Sequence, residues 1–321
     1  VIVVDLDNAS LARLRFAPSP AYELLGWLLL ASQERRHPVF GDPGAGARTA
    51  LRHPDVRLVA SLLPPGGRGY TPDFLTPPPA HNGPRAFEDQ LSAIASTDPE
   101  VVAREVGWCE LLARRLASET RSEVQKGSLA SRVAAGMRTF WQATLADGWA
   151  TLRTSLDADI RTRADRLAAE GAGAVLGSIH ENVRWTGERV EIEWTGEFEH
   201  ETVRDSDIVL APSALCWPRL SVQLHDHTIF CYPADGIGGS GPGHADRMAA
   251  VADLLGASRA ALLADLTEPR STGDLSRRHQ LAPATVSHHL GVLLRAGLVD
   301  RSRDGRTVHY RRSTRGDALV A

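Results

Sequence analysis

Apolar residues recur at three- and four-residue steps through two long stretches of the chain. In one they are Leu129, Val133, Met137, Phe140, Trp141 and Leu145; in the next Trp149, Leu152, Leu156, Ile160 and Leu167. That spacing is the period of an amphipathic helix. Upstream, Ser19-Pro20 reads as an N-cap followed by proline at the first helical position. The helix it opens carries Tyr22, Leu25, Leu28 and Leu29 inward. Residues 48–63 form a further helical stretch, and Asp98-Pro99 starts another that runs to about Glu119. Residues 64–79, rich in proline and glycine, exclude a regular helix or a central strand. Tyr70, Phe74 and Leu75 within them predict an ordered loop packed on the body. After a short strand in residues 1–16, residues 11–170 are therefore expected to be mainly helical.

The period changes after Gly177. Val190, Ile192 and Trp194 alternate with Glu191 and Glu193, a half-buried strand pattern, and Thr186-Gly187 turns the chain between this strand and Val183–Trp185. Residues 208–211, 220–224 and 228–232 are further strand candidates. The expected fold class is α+β, a mainly helical N-terminal domain (residues 1–232) that ends in a small antiparallel sheet. Residues 233–245, dense in glycine with two prolines, read as a linker. Residues 246–321 form a separate C-terminal module.

In that module residues 246–255 and 258–265 are helical candidates. Ser271 followed three residues later by Asp274 is a capping-box start for a helix to about His279. After a tight connection at residues 280–282, Pro283 begins a helix to about Ala296, with Val286, Leu290, Leu293 and Leu294 inward and Gly297 placed to end it. Residues 299–303 and 307–311 read as strands about Asp304-Gly305-Arg306, and Asp-Gly is a strong hairpin signal. The order is helix, turn, helix, two-stranded wing, the pattern of a winged helix-turn-helix.

Charge sharpens this division. Residues 256–316 hold eleven arginines against five acidic residues, a balance of +6. The rest of the chain then carries −9 of a net −3. A basic module that meets a polyanion, joined to an acidic body that does not, accounts for the asymmetry. Lys126 is the only lysine, and arginine suits bidentate contacts to phosphate and guanine.

The run Leu281-Ala282-Pro283-Ala284-Thr285-Val286-Ser287-His288-His289-Leu290, with Ala296-Gly297-Leu298-Val299, Arg303-Asp304-Gly305-Arg306 and His309-Tyr310, resembles the recognition helix and wing of ArsR-type transcriptional regulators. The resemblance covers about residues 251–312. Two further stretches, Arg15-Phe16-Ala17-Pro18-Ser19-Pro20 and Arg68-Gly69-Tyr70-Thr71-Pro72-Asp73-Phe74-Leu75-Thr76-Pro77-Pro78-Pro79, are similar to the uncharacterised N-terminal domain of actinobacterial ArsR-like regulators. The resemblance implies that Thr285, Ser287, His288 and His289 face the DNA groove, where hydroxyls and imidazoles reach base edges or phosphates. Arg303 and Arg306 flank the wing turn and would meet phosphates or the minor groove. It also implies a homodimer on two half-sites of double-stranded operator DNA. Ala282 departs from the family, which usually has a capping hydroxyl there.

Other chemistry is weaker. The first helix of the motif carries no cysteine cluster, and His225-Asp226-His227 with Cys231 lacks further ligands at recognised spacing, so no metal is expected. Gly236-Ile237-Gly238-Gly239-Ser240-Gly241 fits a dinucleotide-binding pattern by its letters, but Pro242-Gly243 follows where a helix must open. No catalytic residue or cofactor is expected. Three cysteines, Cys109, Cys216 and Cys231, fit a reducing cytoplasm. Cys216 and Cys231 are a candidate redox pair that spacing alone does not bring together. No apolar run approaches membrane-spanning length. All seven tryptophans lie in the body, and Trp141, Trp149 and Trp194 are candidate walls of a pocket for a small apolar effector. The expectation is a cytoplasmic DNA-binding regulator, a repressor, whose N-terminal domain senses a ligand, mediates dimerisation, or both. The alternative is an enzyme or protein-interaction module localised to DNA by its winged helix.

Overall fold

The computed structural model describes residues 1–320 other than 38, 65–68, 80–82, 84, 112–116, 194–198, 217–218, 225–226, 236–243, 268, 280 and 305–306. Two compact units result, Val1–His37 with Asp42–Ala234, and Pro38–Gly41 with Asp235–Ala321.

In the first unit, helices Pro20–Ser32, Gly44–Ala50, Pro54–Leu62, Ala86–Ala95, Pro99–Leu111 and Ser118–Gln125 surround the helix Leu129–Thr144. The expected caps form. Ser19 Oγ accepts the Tyr22 N–H at 3.4 Å, and Asp98 Oδ1 accepts the Glu100 N–H at 2.8 Å. The single helix expected over residues 48–63 is two. Pro54 has no N–H to continue the first, so the chain turns and restarts with proline at its first turn. Val133, Met137 and Phe140 are fully buried along the central helix. At Gly136 a Cβ would lie 2.4 Å from the Asp55 carbonyl oxygen, so only glycine permits this close crossing with the start of Pro54–Leu62. The 73–75 segment is ordered as expected, with Phe74 and Leu75 buried and Glu105 Oε2 accepting the Phe74 N–H at 2.8 Å.

The sheet architecture corrects the expectation of one small antiparallel sheet. There are two four-stranded mixed sheets, and both begin at the front of the chain. Ile2–Leu6 lies between Arg189–Ile192, antiparallel, and Glu199–Val203, parallel; Val183–Trp185 completes that sheet. Leu14–Phe16 pairs in parallel with Ile208–Ser213, which pairs in parallel with Thr228–Pro233; antiparallel Ser221–Gln223 forms the other edge. The hairpin turn at Thr186-Gly187 forms as expected, with Gly187 at φ +102°. Trp194 lies outside the described residues.

The long helix Trp149–Glu170 also differs from its pattern. Trp149 and Leu152 pack on the helical core, and Leu167 packs on the sheet core. Between them the fully buried face carries Leu156, Asp159 and Arg163, while Ile160 is only half-buried. Arg163 Nε bonds Asp159 Oδ1 at 3.0 Å one turn away, and Tyr232 donates its hydroxyl to Asp159 Oδ2 at 2.7 Å. The Arg163 guanidinium lies over the Tyr232 ring, 4.6 Å from its centroid, and donates to the Ser178 carbonyl at 3.2 Å. Two charges placed where the period called for apolar residues thus join helix to sheet. Among the described residues no helix is long and apolar enough to cross a membrane.

Removing one partner of such a pair leaves the other charge buried. Asp159→Ala is expected to destabilise the first unit by about 3–5 kcal/mol, read as a lower urea midpoint. A midpoint equal to that of the parent would show that the pair contributes nothing.

Candidate nucleic-acid interface

The second unit builds its core from Ala257–Asp265, Thr272–His279 and Pro283–Arg295, with His244–Leu255 before them and Thr314–Val320 after. Leu262, Leu263, Leu275, Val286, Leu290 and Leu293 meet in its interior. The capping box at Ser271 forms reciprocally. Asp274 N–H donates to Ser271 Oγ at 3.2 Å, and Ser271 N–H donates to Asp274 Oδ2 at 3.2 Å. Those bonds hold the Asp274 carboxyl below its usual range. Helix Pro283–Arg295 starts at Pro283 with no side-chain cap from Ala282. It ends in a Schellman motif, in which Leu298 N–H donates to Leu293 O at 2.9 Å and Gly297, at φ +69°, donates to Leu294 O at 3.0 Å.

Burying Val286, Leu290 and Leu293 decides what the other face shows. Thr285, Ser287 and His288 are exposed, and His289 is half-buried. The His289 Nδ1 is buried without a hydrogen-bond partner. Desolvation, and then the charges of Arg259 and His288, hold its pKa below the ordinary value, so it stays neutral at neutral pH. The wing consists of Val299–Asp304 and Thr307–Arg312, antiparallel, with Arg270–Ser271 as a third strand. Asp304 pairs with Thr307, which leaves the two-residue connection that the sequence pattern required. Arg306 lies outside the described residues. Arg303 is exposed. By strand alternation Arg301 and Arg303 continue the face of Val299 and Tyr310, which pack on the helices. Arg301 was not singled out from the sequence, although its two-residue spacing from Arg303 was the available signal.

Part of the +6 is spent inside the unit. Asp265, nearly buried, receives Arg278 Nε and His279 Nε2, each at 2.9 Å, and Arg270 Nε at 3.1 Å. Arg277 pairs with Asp274. Arg312 is buried and bonds Asp317 at 2.7 Å, and it donates to the Leu263 and Ala264 carbonyls, both at 3.4 Å, at the end of helix Ala257–Asp265. Arg295, Arg301, Arg303, Arg311 and Arg315 remain on the surface.

The other candidates are distributed differently. Trp141 stacks on Phe87 with centroids 4.1 Å apart and meets Trp149 edge-on at 5.2 Å. The structure thus brings two of the three proposed pocket tryptophans together, as mutually packed rings. A recess of about 190 Å³, part of it open to solvent, is lined instead by Thr97, Pro99, Val102, Val124, Gly127, Leu129 and Ala130. Among the described residues no group of three or more His, Cys, Asp or Glu is arranged to hold a metal ion. His225, Asp226 and the glycine-rich letters 236–241 lie outside the described residues.

Residues 254–302 match the model of a helix-turn-helix domain, and residues 111–235 match a family of unknown function, DUF5937. No curated protein matches the chain, and no solved structure does. The chain therefore carries an ArsR-like helix-turn-helix domain, a module of DNA-binding transcriptional regulators, beside a domain whose function is unassigned. The second match lies downstream of the 15–20 and 68–79 stretches that suggested an N-terminal domain of this kind.

Arg312 ties the wing to the helix end and to Asp317. Arg312→Met is expected to cost about 2–3 kcal/mol through its lost charged hydrogen bonds. The loss should appear as earlier thermal unfolding of the second unit. Unchanged unfolding would contradict the tie.

Proposed function

We propose that this chain is a transcriptional repressor that binds double-stranded operator DNA as a homodimer and whose N-terminal unit is its sensor. The observation that carries the reading is the partition of one helix. Pro283–Arg295 buries Val286, Leu290 and Leu293 and presents Thr285, Ser287 and His288 outward beside an arginine-bearing wing. Short hydroxyls and an imidazole at the start of a helix fit base edges in a major groove. In this reading His289 supplies a neutral contact at the margin, and Arg303, Arg306 and Arg301 hold phosphates or the minor groove. Two half-sites call for two copies. The short helix Thr314–Val320 places Leu319 and Val320 in its own unit's core, which supports dimerisation through other surfaces, the N-terminal unit among them.

The sensor reading rests on the size of the first unit, since DNA binding does not require it. An apolar effector at Trp141 and Trp149, with Trp194, would have to displace Phe87 from the face of Trp141. We read the unit as non-enzymatic and free of cofactors. Its buried carboxylates serve the fold, Glu23 accepting the Ala214 and Leu215 N–H groups and Asp159 bonding Arg163 and Tyr232.

Titrating full-length protein against its own upstream DNA at several salt concentrations tests the proposal. Affinity should fall steeply with salt, as counterion release requires. Arg303→Ala and Arg306→Ala should weaken binding to every sequence and flatten that slope. Ser287→Ala and His288→Ala should instead reduce discrimination by about 1–3 kcal/mol. Folded protein that does not bind at low salt would refute the reading, and equal losses on specific and random DNA for all four variants would refute the division of roles.

Binding is also expected to be independent of metal. A chelator or added zinc should leave operator affinity unchanged, and a chelator-sensitive complex restored by zinc would overturn this.

A further inference from the structure

Cys231 sits in the middle strand Thr228–Pro233 of the second sheet, paired in parallel with Ala211. Past the end of the neighbouring strand Ile208–Ser213 the chain turns tightly, the Cys216 N–H donating to Ser213 Oγ at 3.0 Å. That turn packs Cys216 against the cluster of Ala17, Val209, Ala211, Ile229 and Cys231. The two thiols hydrogen-bond to each other. Cys231 is fully buried and Cys216 is half-buried. Cys109 lies in the separate helical core.

A buried cysteine that only fills space needs no polar company, but this pair has it. The Ser213 hydroxyl bonds the Cys231 sulfur and also the carboxyl group of Glu23. Glu23 is fully buried in helix Pro20–Ser32 and accepts the N–H groups of Ala214 at 2.8 Å and Leu215 at 3.0 Å, in the very turn that leads to Cys216. Carboxyl, hydroxyl, thiol and thiol therefore form a chain of contacts from the interior to the half-open sulfur. We propose that Cys216 and Cys231 are a dithiol centre that a peroxide closes to a disulfide, with Glu23 as the base for the inner thiol. The centre lies wholly within the first unit and does not depend on the DNA-binding reading.

The accessible sulfur reacts first. The Cys216 thiolate attacks one peroxide oxygen, the O–O bond breaks, the other oxygen leaves and is protonated to water, and Cys216 becomes a sulfenic acid. Cys231 sulfur then attacks Cys216 sulfur. The S–S bond forms, the S–O bond breaks, and the departing hydroxide takes a proton to leave as water. The proton that Cys231 must lose passes through Ser213 Oγ to the Glu23 carboxylate, which supplies it to the departing oxygen. Overall two thiols and one hydrogen peroxide give one disulfide and two waters, two electrons moving from sulfur to peroxide. Burial pushes the Cys231 thiol well above its ordinary pKa, so it does not compete for the oxidant, and burial raises Glu23 to about 7, which suits proton exchange near neutrality. The two cysteines thus have separate roles, attacking and resolving.

The test treats full-length protein with hydrogen peroxide and counts thiols after denaturation. The count should fall from three to one, and peptide mass mapping should find residues 216 and 231 joined with the loss of two hydrogens. Cys231→Ser should stop at a Cys216 sulfenic acid that a cyclic 1,3-dione traps; Cys231→Ala serves equally if the serine variant folds poorly. Glu23→Gln should accumulate the same sulfenic acid and close about tenfold more slowly or worse, an effect that a purely packing role would not produce. Three thiols surviving excess peroxide, a bridge to Cys109 or between chains, or closure as fast in Glu23→Gln as in the parent would overturn the corresponding assignment.

Discussion

The first unit hangs on an ion pair removed from water. Asp159 and Arg163 face the interior of a helix whose two ends rest on different apolar cores, one of helices and one of sheets. Each core can be built by burial alone, but burial is non-directional and does not fix how a helix rotates about its axis. The carboxylate does so, because it must satisfy Arg163 and the Tyr232 hydroxyl together. Desolvating two charges is expensive, and the geometry that offsets the cost is narrow. The position of the sheet relative to the helices is thereby specified, not merely stabilised.

The second unit solves a different problem. It is small, and a module that meets phosphate must carry positive charge that repels itself. Asp265 gathers Arg270, Arg278 and His279 onto one carboxylate, and Asp317 takes Arg312. The arginines left on the surface include Arg301, Arg303 and Arg311 on the wing and Arg295 at the end of the outward-facing helix. Neutralising charge within the fold while leaving it on the recognition surface reconciles stability with a polyanionic partner. The same helix that inserts Val286, Leu290 and Leu293 into the core must, by its period, turn Thr285, Ser287 and His288 away from it.

This second unit was readable because its instructions are local. A hydroxyl three residues before a carboxylate, a proline at a helix start, a glycine at its end and an Asp-Gly turn each act within a few residues. What escaped needed convergence in space. Asp265 becomes a hub only when residues 270, 278 and 279 arrive beside it, and the wing face of Arg301 follows from its partners across the sheet. In the first unit, Glu199–Val203 is a polar sequence with residues 200–202 exposed, so no alternation announces it. Its neighbour Ile2–Leu6 reads as a strand, but nothing near it says that its partners lie far along the chain. Asp159 and Arg163 escaped for the opposite reason. Charges on a helix are ordinarily a solvated face, and periodicity assigned Ile160 to the interior instead.

The pairing of Ile2–Leu6 with Arg189–Ile192 and Glu199–Val203 bears on how the chain is made. A ribosome adding about 5–20 residues per second delivers the first strand on the order of 10–40 s before the last of its partners. Helices Pro20–Ser32 through Leu129–Thr144 can pack during that interval, because most of their core residues are already present. The strand meanwhile waits with its backbone donors and acceptors unpaired, an edge open to other chains. Its buried face of Ile2, Val4 and Leu6 makes that edge adhesive. During synthesis, then, the vulnerable part of this molecule is its oldest segment, and a nascent-chain chaperone that shields the first residues would protect a sheet that does not yet exist.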